Sequence, residues 1–153
     1  MDNKENKKLI SYSLSGIKSN RFNFSTPKGK FVVEEVKIDY TINPTIKYNI
    51  EEDLIFIIIN VIAKINDTEE IILDSENTFI YHAKDLKTFM EPLEDTKSWK
   101  FKDQKDEGLI VTILGISIST LRGILYEKSR GTILELKLIP IVNPSIFIKT
   151  ENK

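Results

Sequence analysis

The side chains in this chain that could carry acid–base or metal chemistry are few and widely scattered. His82 is the only histidine, and the nearest downstream carboxylate is that of Asp85. A general acid–base or metal site needs further groups that converge on the imidazole, and none is spaced to do so. We therefore expect His82 to be a surface or strand-end residue.

The remaining candidates for chemistry are acidic pairs. Glu34–Glu35, Glu51–Glu52 and Glu69–Glu70 are neighbours in sequence, and neighbours on a strand face opposite ways, so no pair forms a carboxylate dyad by itself. Asp67 with Glu69 and Glu70 lacks the spacing of a calcium loop. The absence of cysteine excludes thiolate nucleophiles, disulfides and cysteine-based zinc sites. The sequence therefore predicts a protein that is not an enzyme and holds no metal or cofactor.

The composition is typical of one soluble domain. The 153 residues are 29% charged and 41% apolar, with a formal net charge of −1, which gives no overall field for nucleic acid or an anionic membrane. We expect residues 1–8 to form a flexible tail and residues 9–150 a single domain. The amino-terminal residues have no apolar stretch typical of a secretory signal, and the longest apolar run, Leu54–Ile59, is too short for membrane insertion. The expected location is the cytoplasm.

Two alternating runs predict the first strands. Residues 9–25 alternate with a phase slip at Gly16, which is typical of a long strand with a β-bulge. A second run over residues 36–50 contains Pro44, which has no N–H to donate and therefore favours an edge strand or a bulge.

Two further runs complete the predicted sheet. Leu54–Ile65 is almost continuously apolar, which indicates a strand covered on both faces, and Ile71–Tyr81 forms the fourth. The loops between these runs are short, so the sheet is predicted to be antiparallel.

The middle of the chain loses this regularity. Lys84–Met90 is predicted to form a short helix and Glu91–Glu107 a polar loop. Trp99 and Phe101 lie in that loop, where they form either a clip over the core or an accessory binding finger.

A long helix is predicted over residues 109–129. The β-branched residues there favour a strand, but apolar residues recur every three to four positions, which favours a helix. Asp106 is placed to cap its start and Gly131 to end it. The leucines that follow alternate with other residues before Pro140, so that stretch is predicted to be extended, and Asn143–Pro144 is a typical start for a short final helix.

The residues around the end of the long helix carry a family resemblance. Ser129–Thr132 reads S-R-G-T, and it is followed by L-x-L-x-P at Leu136–Pro140 and by Asn143 and Phe147. This order resembles the carboxy-terminal half of the SecB family of export chaperones. Weaker matches are the F-x-F-x-x-P run at Phe22–Pro27 and V-K-I-D-Y at Val36–Tyr40.

The resemblance spans residues 10–148 and implies a fold. That fold is α+β, with a four-stranded, Greek-key-like antiparallel sheet packed by one long helix and a short C-terminal helix. It also implies a function, namely an ATP-independent holdase that binds unfolded or pre-export polypeptides and assembles as a homotetramer, a dimer of dimers. The apolar residues that would border the client groove are Phe22, Phe24, Phe31, Ile141, Val142 and Phe147. The alternative is that several of these, Phe22 and Phe24 above all, belong to the core.

Three small residues on the long helix suggest a close contact. Gly115, Ser119 and Gly123 recur every four residues and share one helix face. They either pack on the chain's own sheet or, as the resemblance implies, lie in an oligomer interface.

The chain departs from the family pattern in ways that bear on its partners. The loop over Ser25–Val33 is short, and residues 91–107 look like an insertion. Arg21 and Ser25 stand where the family carries acidic residues that dock the SecA export motor, although Asp74 could supply one acid. Opposite charge should weaken that docking. The alternatives are a chaperone dedicated to an antitoxin of a toxin–antitoxin system and a β-rich domain that binds a small apolar ligand.

Overall fold

The computed structural model describes residues 9–30, 32–94, 98–103 and 105–148. The strands are β1 (Tyr12–Phe24), β2 (Ile38–Asn49), β3 (Leu54–Ile65), β4 (Ile71–Ala83), β5 (Met90–Pro92) and β6 (Trp99–Phe101). The helices are α1 (Leu86–Phe89), α2 (Glu107–Lys128) and a final 3₁₀ turn, Pro144–Phe147.

The main sheet has the order β1-β4-β3-β2, and every pairing is antiparallel. Strands β2, β3 and β4 follow one another as hairpins, and β1 lies beside β4, which is the Greek-key arrangement expected from the sequence. Consequently β1 and β2 are the two edges of the sheet, and the chain between them, residues 25–37, crosses from one edge to the other.

Strand β3 runs over the predicted residues but is not covered equally on its two faces. The side chains at its odd positions are buried beneath α2, and those at its even positions are only half-buried. The expectation of cover on both faces is therefore wrong for the described chain. A single helix layer covers one face of this antiparallel sheet, which leaves the other open to solvent.

The irregular points of the edge strands follow from their sequence. The predicted bulge at Gly16 is confirmed, because the register of β1 against β4 shifts between Leu14 and Gly16. A second shift, between Ser19 and Arg21, was not predicted. Pro44 lies within β2, which pairs only with β3, and this confirms the predicted edge strand.

Helix α2 forms the second layer of the core. It buries seven side chains, Ile110, Ile113, Leu114, Ser117, Ile118, Leu121 and Leu125. The Tyr81 hydroxyl reaches across from the sheet to the Ser117 hydroxyl at 2.9 Å. The expected cap at Asp106 is wrong in detail: this residue has helical backbone angles, and its side chain makes no capping hydrogen bond.

By length and composition alone, α2 is apolar enough to cross a membrane, with a mean hydropathy of 1.8 over its best window. In the fold α2 packs on the sheet as the core helix, but only 39% of the residues in its most apolar 18-residue stretch are buried. Much of its apolar surface is therefore not used by the described chain itself.

A non-local contact starts α1. Asp53, in the turn between β2 and β3, has a left-handed backbone with φ of 56°. Its carboxylate accepts hydrogen bonds from the backbone N–H of Leu86 at 2.8 Å and of Asp85 at 3.2 Å. Since the carboxylate satisfies amides that lack helical partners, Asp53 caps α1 from another part of the chain.

The predicted loop over residues 91–107 contains a small two-stranded ribbon. Met90, Glu91 and Pro92 pair with Phe101, Lys100 and Trp99 respectively. Phe101 is buried and meets Tyr48 edge-on, with ring centroids 6.2 Å apart. Phe101 is thus a clip over the core, whereas Trp99 is only half-buried.

The stretch from Leu134 to Pro140 was predicted to be extended, and this is wrong for residues 134–137, which continue the turns that begin at residue 131. They form successive turns, in which Glu135 N–H donates to the Thr132 carbonyl and Lys137 N–H to the Leu134 carbonyl, each at 3.1 Å. The predicted start of the final helix is confirmed, because the Asn143 side chain accepts from Ser145 N–H at 3.1 Å.

Candidate functional site

The segment of residues 131–142, here called the C-terminal segment, is fixed by its backbone. Arg122 Nε donates to the Ile139 carbonyl at 2.9 Å, and the Tyr40 hydroxyl donates to the Lys137 carbonyl. Leu134 and Ile139 are buried in the core. Burial raises the pKa of Tyr40 to about 12, so its hydroxyl keeps its proton and remains a donor even at pH 10, where an exposed tyrosine is half ionised.

Between and beyond these anchors, apolar side chains point to solvent. Leu136 is 74% exposed, Leu138 55% and Ile141 84%. A cluster of exposed aliphatic side chains on a fixed backbone is unusual on a soluble surface and marks a site of interaction. The sequence analysis named Ile141 but missed Leu136 and Leu138, although the L-x-L alternation itself was the available signal.

An open groove of about 460 Å³ lies between the C-terminal segment and the beginning of β2. We call it the β2 groove. Its lining includes Val36, Ile38, Tyr40, Leu138 and Pro140. Apolar side chains line both of its sides, and Lys37, Asp39 and Lys137 add charge at its rim.

A second open groove, of about 300 Å³, lies where residues 24–33 meet residues 131–133. We call it the loop groove. Its apolar lining is Phe24, Pro27, Val33 and Ile133. The C-terminal segment thus has an open groove at each end of its fixed turns. Beneath the segment, the space between Tyr40, Leu73, Leu125 and Leu134 is only about 10 Å³.

The predicted client-binding aromatics occupy different positions around these grooves. Phe24 lines the loop groove, whereas Phe22 lies half-buried against the core with the Lys128 ammonium 4.9 Å above its ring centroid. Phe31 lies outside the described residues. Val142 and Phe147 are half-buried and pack against the core. Of the described members of this set, Ile141 is therefore the exposed one, and the others are half-buried against the core, with Phe24 also lining the loop groove.

The three small residues of α2 divide into two groups. A Cβ atom added at Gly115 would stand 3.1 Å from Cγ of Pro144, so Gly115 gives room to the final turn of the same chain. Ser119 and Gly123 are exposed, and a Cβ atom at Gly123 would meet nothing within 4 Å. The close contact at Gly115 is therefore within the chain, and the rest of this face is uncovered.

The uncovered face of α2 continues onto β1. Ile116 and Tyr126 are exposed on the helix, and Tyr12, Leu14 and Ile17 are exposed on the side of the edge strand that faces the helix layer. These residues form an apolar surface that no described part of the chain covers.

The open face of the sheet carries the residues that bear on export-motor docking. Arg21 Nη2 forms an ion pair with Asp74 Oδ1 at 2.9 Å, and Asn60 Nδ2 donates to the same oxygen at 3.2 Å. Asp74 is the acid that could serve in place of the SecB family's docking residues. Its carboxylate is paired with Arg21, which itself stands where that family carries an acid. Ser25 is exposed nearby and uncharged.

No constellation for catalysis appears among the described residues. His82 is exposed on the open face of the sheet, and the part of the chain that the structure describes contains no group of three or more potential metal ligands. What the site presents is apolar side chains beside backbone that is held by hydrogen bonds.

A comparison with solved structures agrees with this architecture, whereas two comparisons of the sequence find no match. No family model and no curated protein matches the sequence. Among solved structures, the fold is similar to that of the SecB-like chaperone Rv1957 of Mycobacterium tuberculosis, in complex with a ChAD peptide from the HigA1 antitoxin. The match has a TM-score of 0.54 at 10% identity and covers 86% of this chain and 87% of that one. The chain has a SecB-like α+β fold.

Proposed function

We propose that this protein is an ATP-independent holdase, a cytoplasmic chaperone that binds unfolded polypeptides and keeps them from aggregating. The observation that supports the proposal most directly is the fixed C-terminal segment, which presents Leu136, Leu138 and Ile141 to solvent beside two open apolar grooves. Hydrogen bonds from Tyr40 and Arg122 to the Lys137 and Ile139 carbonyls hold the segment in place within the chain. The exposed side chains are therefore available before any client binds.

Such a surface suits many unrelated clients. Burying one client leucine or phenylalanine side chain contributes about 1.5–3 kcal/mol, whatever the sequence around it. A client that places two or three such side chains in the grooves is held without any covalent step, and it leaves again when its own core forms. ATP has no part in this cycle, since binding and release follow from the free energy of the client.

A dedicated antitoxin client is the second candidate. The similar solved chaperone is bound to a peptide from an antitoxin. In the present chain, the Arg21–Asp74 ion pair opposes docking of the SecA motor, because it neutralises an acid where that docking needs negative charge. We therefore place an antitoxin-type partner ahead of the export motor.

We further propose that the uncovered apolar face of α2 and β1 is closed by copies of the same chain, as a dimer of dimers. Exposed apolar side chains on both elements support this, as does the open space at Gly123. An apolar surface of this kind on a soluble protein is typical of an obligate interface.

The experiment is suppression of the aggregation of a chemically unfolded test protein, followed by light scattering without nucleotide. Wild type should suppress aggregation, and Leu138→Ser with Ile141→Ser should abolish most of that effect. Both side chains are largely exposed, so the fold should be kept.

The control is Ile71→Ser, which removes an aliphatic side chain at the start of β4 that is 48% exposed, close to the 55% of Leu138, and that lines neither groove. It should leave suppression unchanged. If wild type fails to suppress aggregation, or if the double variant suppresses it as well as wild type does, the proposal is wrong.

A further inference from the structure

Strand β2 has a free edge that runs past two different grooves. It pairs with β3 on one side, and no described strand pairs with its other side. A free edge presents unpaired N–H and C=O groups, to which an extended chain can add as another strand. The β2 groove lies beside the beginning of this edge, at Ile38 and Tyr40.

The far end of the same edge is bordered by the β5–β6 ribbon. There a groove of about 360 Å³ lies between Ile46 and Tyr48 of β2 and Ser98 and Trp99 of the ribbon. We call it the ribbon groove. Its ribbon side is formed by Ser98 and Trp99, in the stretch that the sequence marks as an insertion relative to the SecB pattern.

The register of β2 relates the two grooves to each other. Ile38 and Ile46 are eight positions apart in one strand. Since side chains alternate, an even separation puts both on the same face, the one that faces the helix layer. At about 3.3 Å per residue the two grooves are about 26 Å apart along the edge.

Pro44 divides the edge between them. Its pairing with β3 continues without a register shift, so the proline nitrogen, which carries no hydrogen, faces the free side. A continuous ladder of backbone bonds is thereby interrupted near the middle of β2. Side chains seated in the two grooves must then fix the register of any strand that adds.

We propose that the ribbon groove is a second anchoring site for an extended polypeptide that adds to the free edge of β2. The ligand is a peptide with two large apolar side chains, ideally aromatic, about eight residues apart, one in the β2 groove and one against Trp99. This inference rests on the proposed function and adds to it a spacing rule for clients. An extended peptide fits better than a folded partner because both grooves lie along one free strand edge, to which an extended backbone can hydrogen-bond.

The test uses the tryptophan that the site contains. Trp99 is the only tryptophan in the chain, so its emission reports on this groove without any mutation. The probes are synthetic peptides of about twelve residues, rich in serine and threonine and free of tryptophan. One carries two phenylalanines eight residues apart, a second carries them seven apart, and a third carries only one.

The peptide with phenylalanines eight residues apart should shift Trp99 emission to shorter wavelength. It should also bind at least about tenfold tighter than the peptide with one phenylalanine. The peptide with phenylalanines seven residues apart should bind like the peptide with one phenylalanine, because in an extended chain its second ring points to the opposite face of the strand. Trp99→Ala removes this reporter, so its affinities are measured by calorimetric titration: the peptide with phenylalanines eight residues apart should fall to single-anchor affinity, and the single-anchor peptide should bind as before.

Other outcomes separate this inference from the proposed function. Suppression of aggregation with equal affinities for all three peptides, or binding without a change in Trp99 emission, overturns the ribbon groove alone. Absence of binding to any unfolded polypeptide overturns both. An emission shift that depends on protein concentration without peptide shows that a second copy of the chain fills the edge, and this also overturns the inference.

Discussion

The two glycines of α2 differ in what surrounds them, and this difference leads to a quantitative prediction. Glycine in a helix interior costs about 0.8–1.0 kcal/mol relative to alanine. A Cβ atom at Gly123 would meet nothing within 4 Å. Gly123→Ala should therefore raise the free energy of unfolding of the single chain by nearly that full amount.

At Gly115 the same helix gain is opposed by a steric cost. The added Cβ atom would lie 3.1 Å from Cγ of Pro144, whereas carbon atoms in contact prefer about 3.5–4.0 Å. The final turn would have to move by several tenths of an ångström, and overpacking of this kind typically costs about 1–3 kcal/mol. We expect Gly115→Ala to be neutral or to destabilise by up to about 2 kcal/mol.

Urea denaturation of both variants measures the contrast. It should be run over a range of protein concentrations, because self-association adds to the apparent stability. The expected difference between Gly123→Ala and Gly115→Ala is about 1–3 kcal/mol. Equal effects at both positions would show that the final turn does not pack on α2 as described. Gly123→Leu completes the series: it should leave the single chain folded but reduce the mass of the assembly in light scattering if this face is the interface.

Three further predictions concern the scaffold and the open sheet face. Asp53→Ala removes the carboxylate that accepts from two backbone amides at the start of α1, and it should cost about 1–2 kcal/mol in urea denaturation. Burial raises the pKa of Tyr40 and Tyr48 to about 12. Their contribution to the free energy of unfolding is therefore fully present below pH 10 and is lost as the pH rises towards 12. Changing both to phenylalanine should flatten the fall in stability between pH 10 and 12 in urea denaturation. Arg21→Asp with Ser25→Glu should strengthen binding to the basic tail of the export motor in calorimetric titration, most clearly at low salt; tight binding by wild type would contradict our interpretation of these positions.

The sheet could be predicted because its signals are local. The apolar run of β3 lies between the turns at Glu51–Asp53 and Asn66–Asp67, and the predicted bounds, Leu54–Ile65, agree with the structure. The phase slip at Gly16 predicted a β-bulge, and the register of β1 shifts there. The proline at position 44 predicted an edge strand, and β2 lies at the edge of the described sheet. Helix α2 followed from spacing rather than propensity, since burial against the sheet outweighs the β-branched preference.

The features that were missed depend on contacts between distant parts of the chain. The turns of residues 131–137 are held by Tyr40 and Arg122, which lie on other elements, so the alternating leucines alone suggested an extended segment. The ribbon strands are three residues long and lie in a charged stretch, which gives no periodic pattern to detect. The cap at α1 comes from Asp53, about thirty residues earlier in the chain.

The candidate binding residues stay a prediction, and the structure shows only how exposed each of them is. Ile141, to which the resemblance to SecB pointed, is exposed, whereas Phe24 is half-buried against the core. Leu136 and Leu138 were assigned to an ordinary extended segment, because exposure depends on the turns that aim each side chain and cannot be derived from alternation alone.

Hydrogen–deuterium exchange of the wild-type protein with and without an unfolded test protein tests the central claim most directly. If a client binds in the grooves, amides of residues 36–40 and 136–142 should become protected, and those of residues 12–20 of β1, at the other edge of the sheet, should exchange at an unchanged rate. Protection confined to residues 12–20, or no change at 136–142 while the client is bound, would contradict the account.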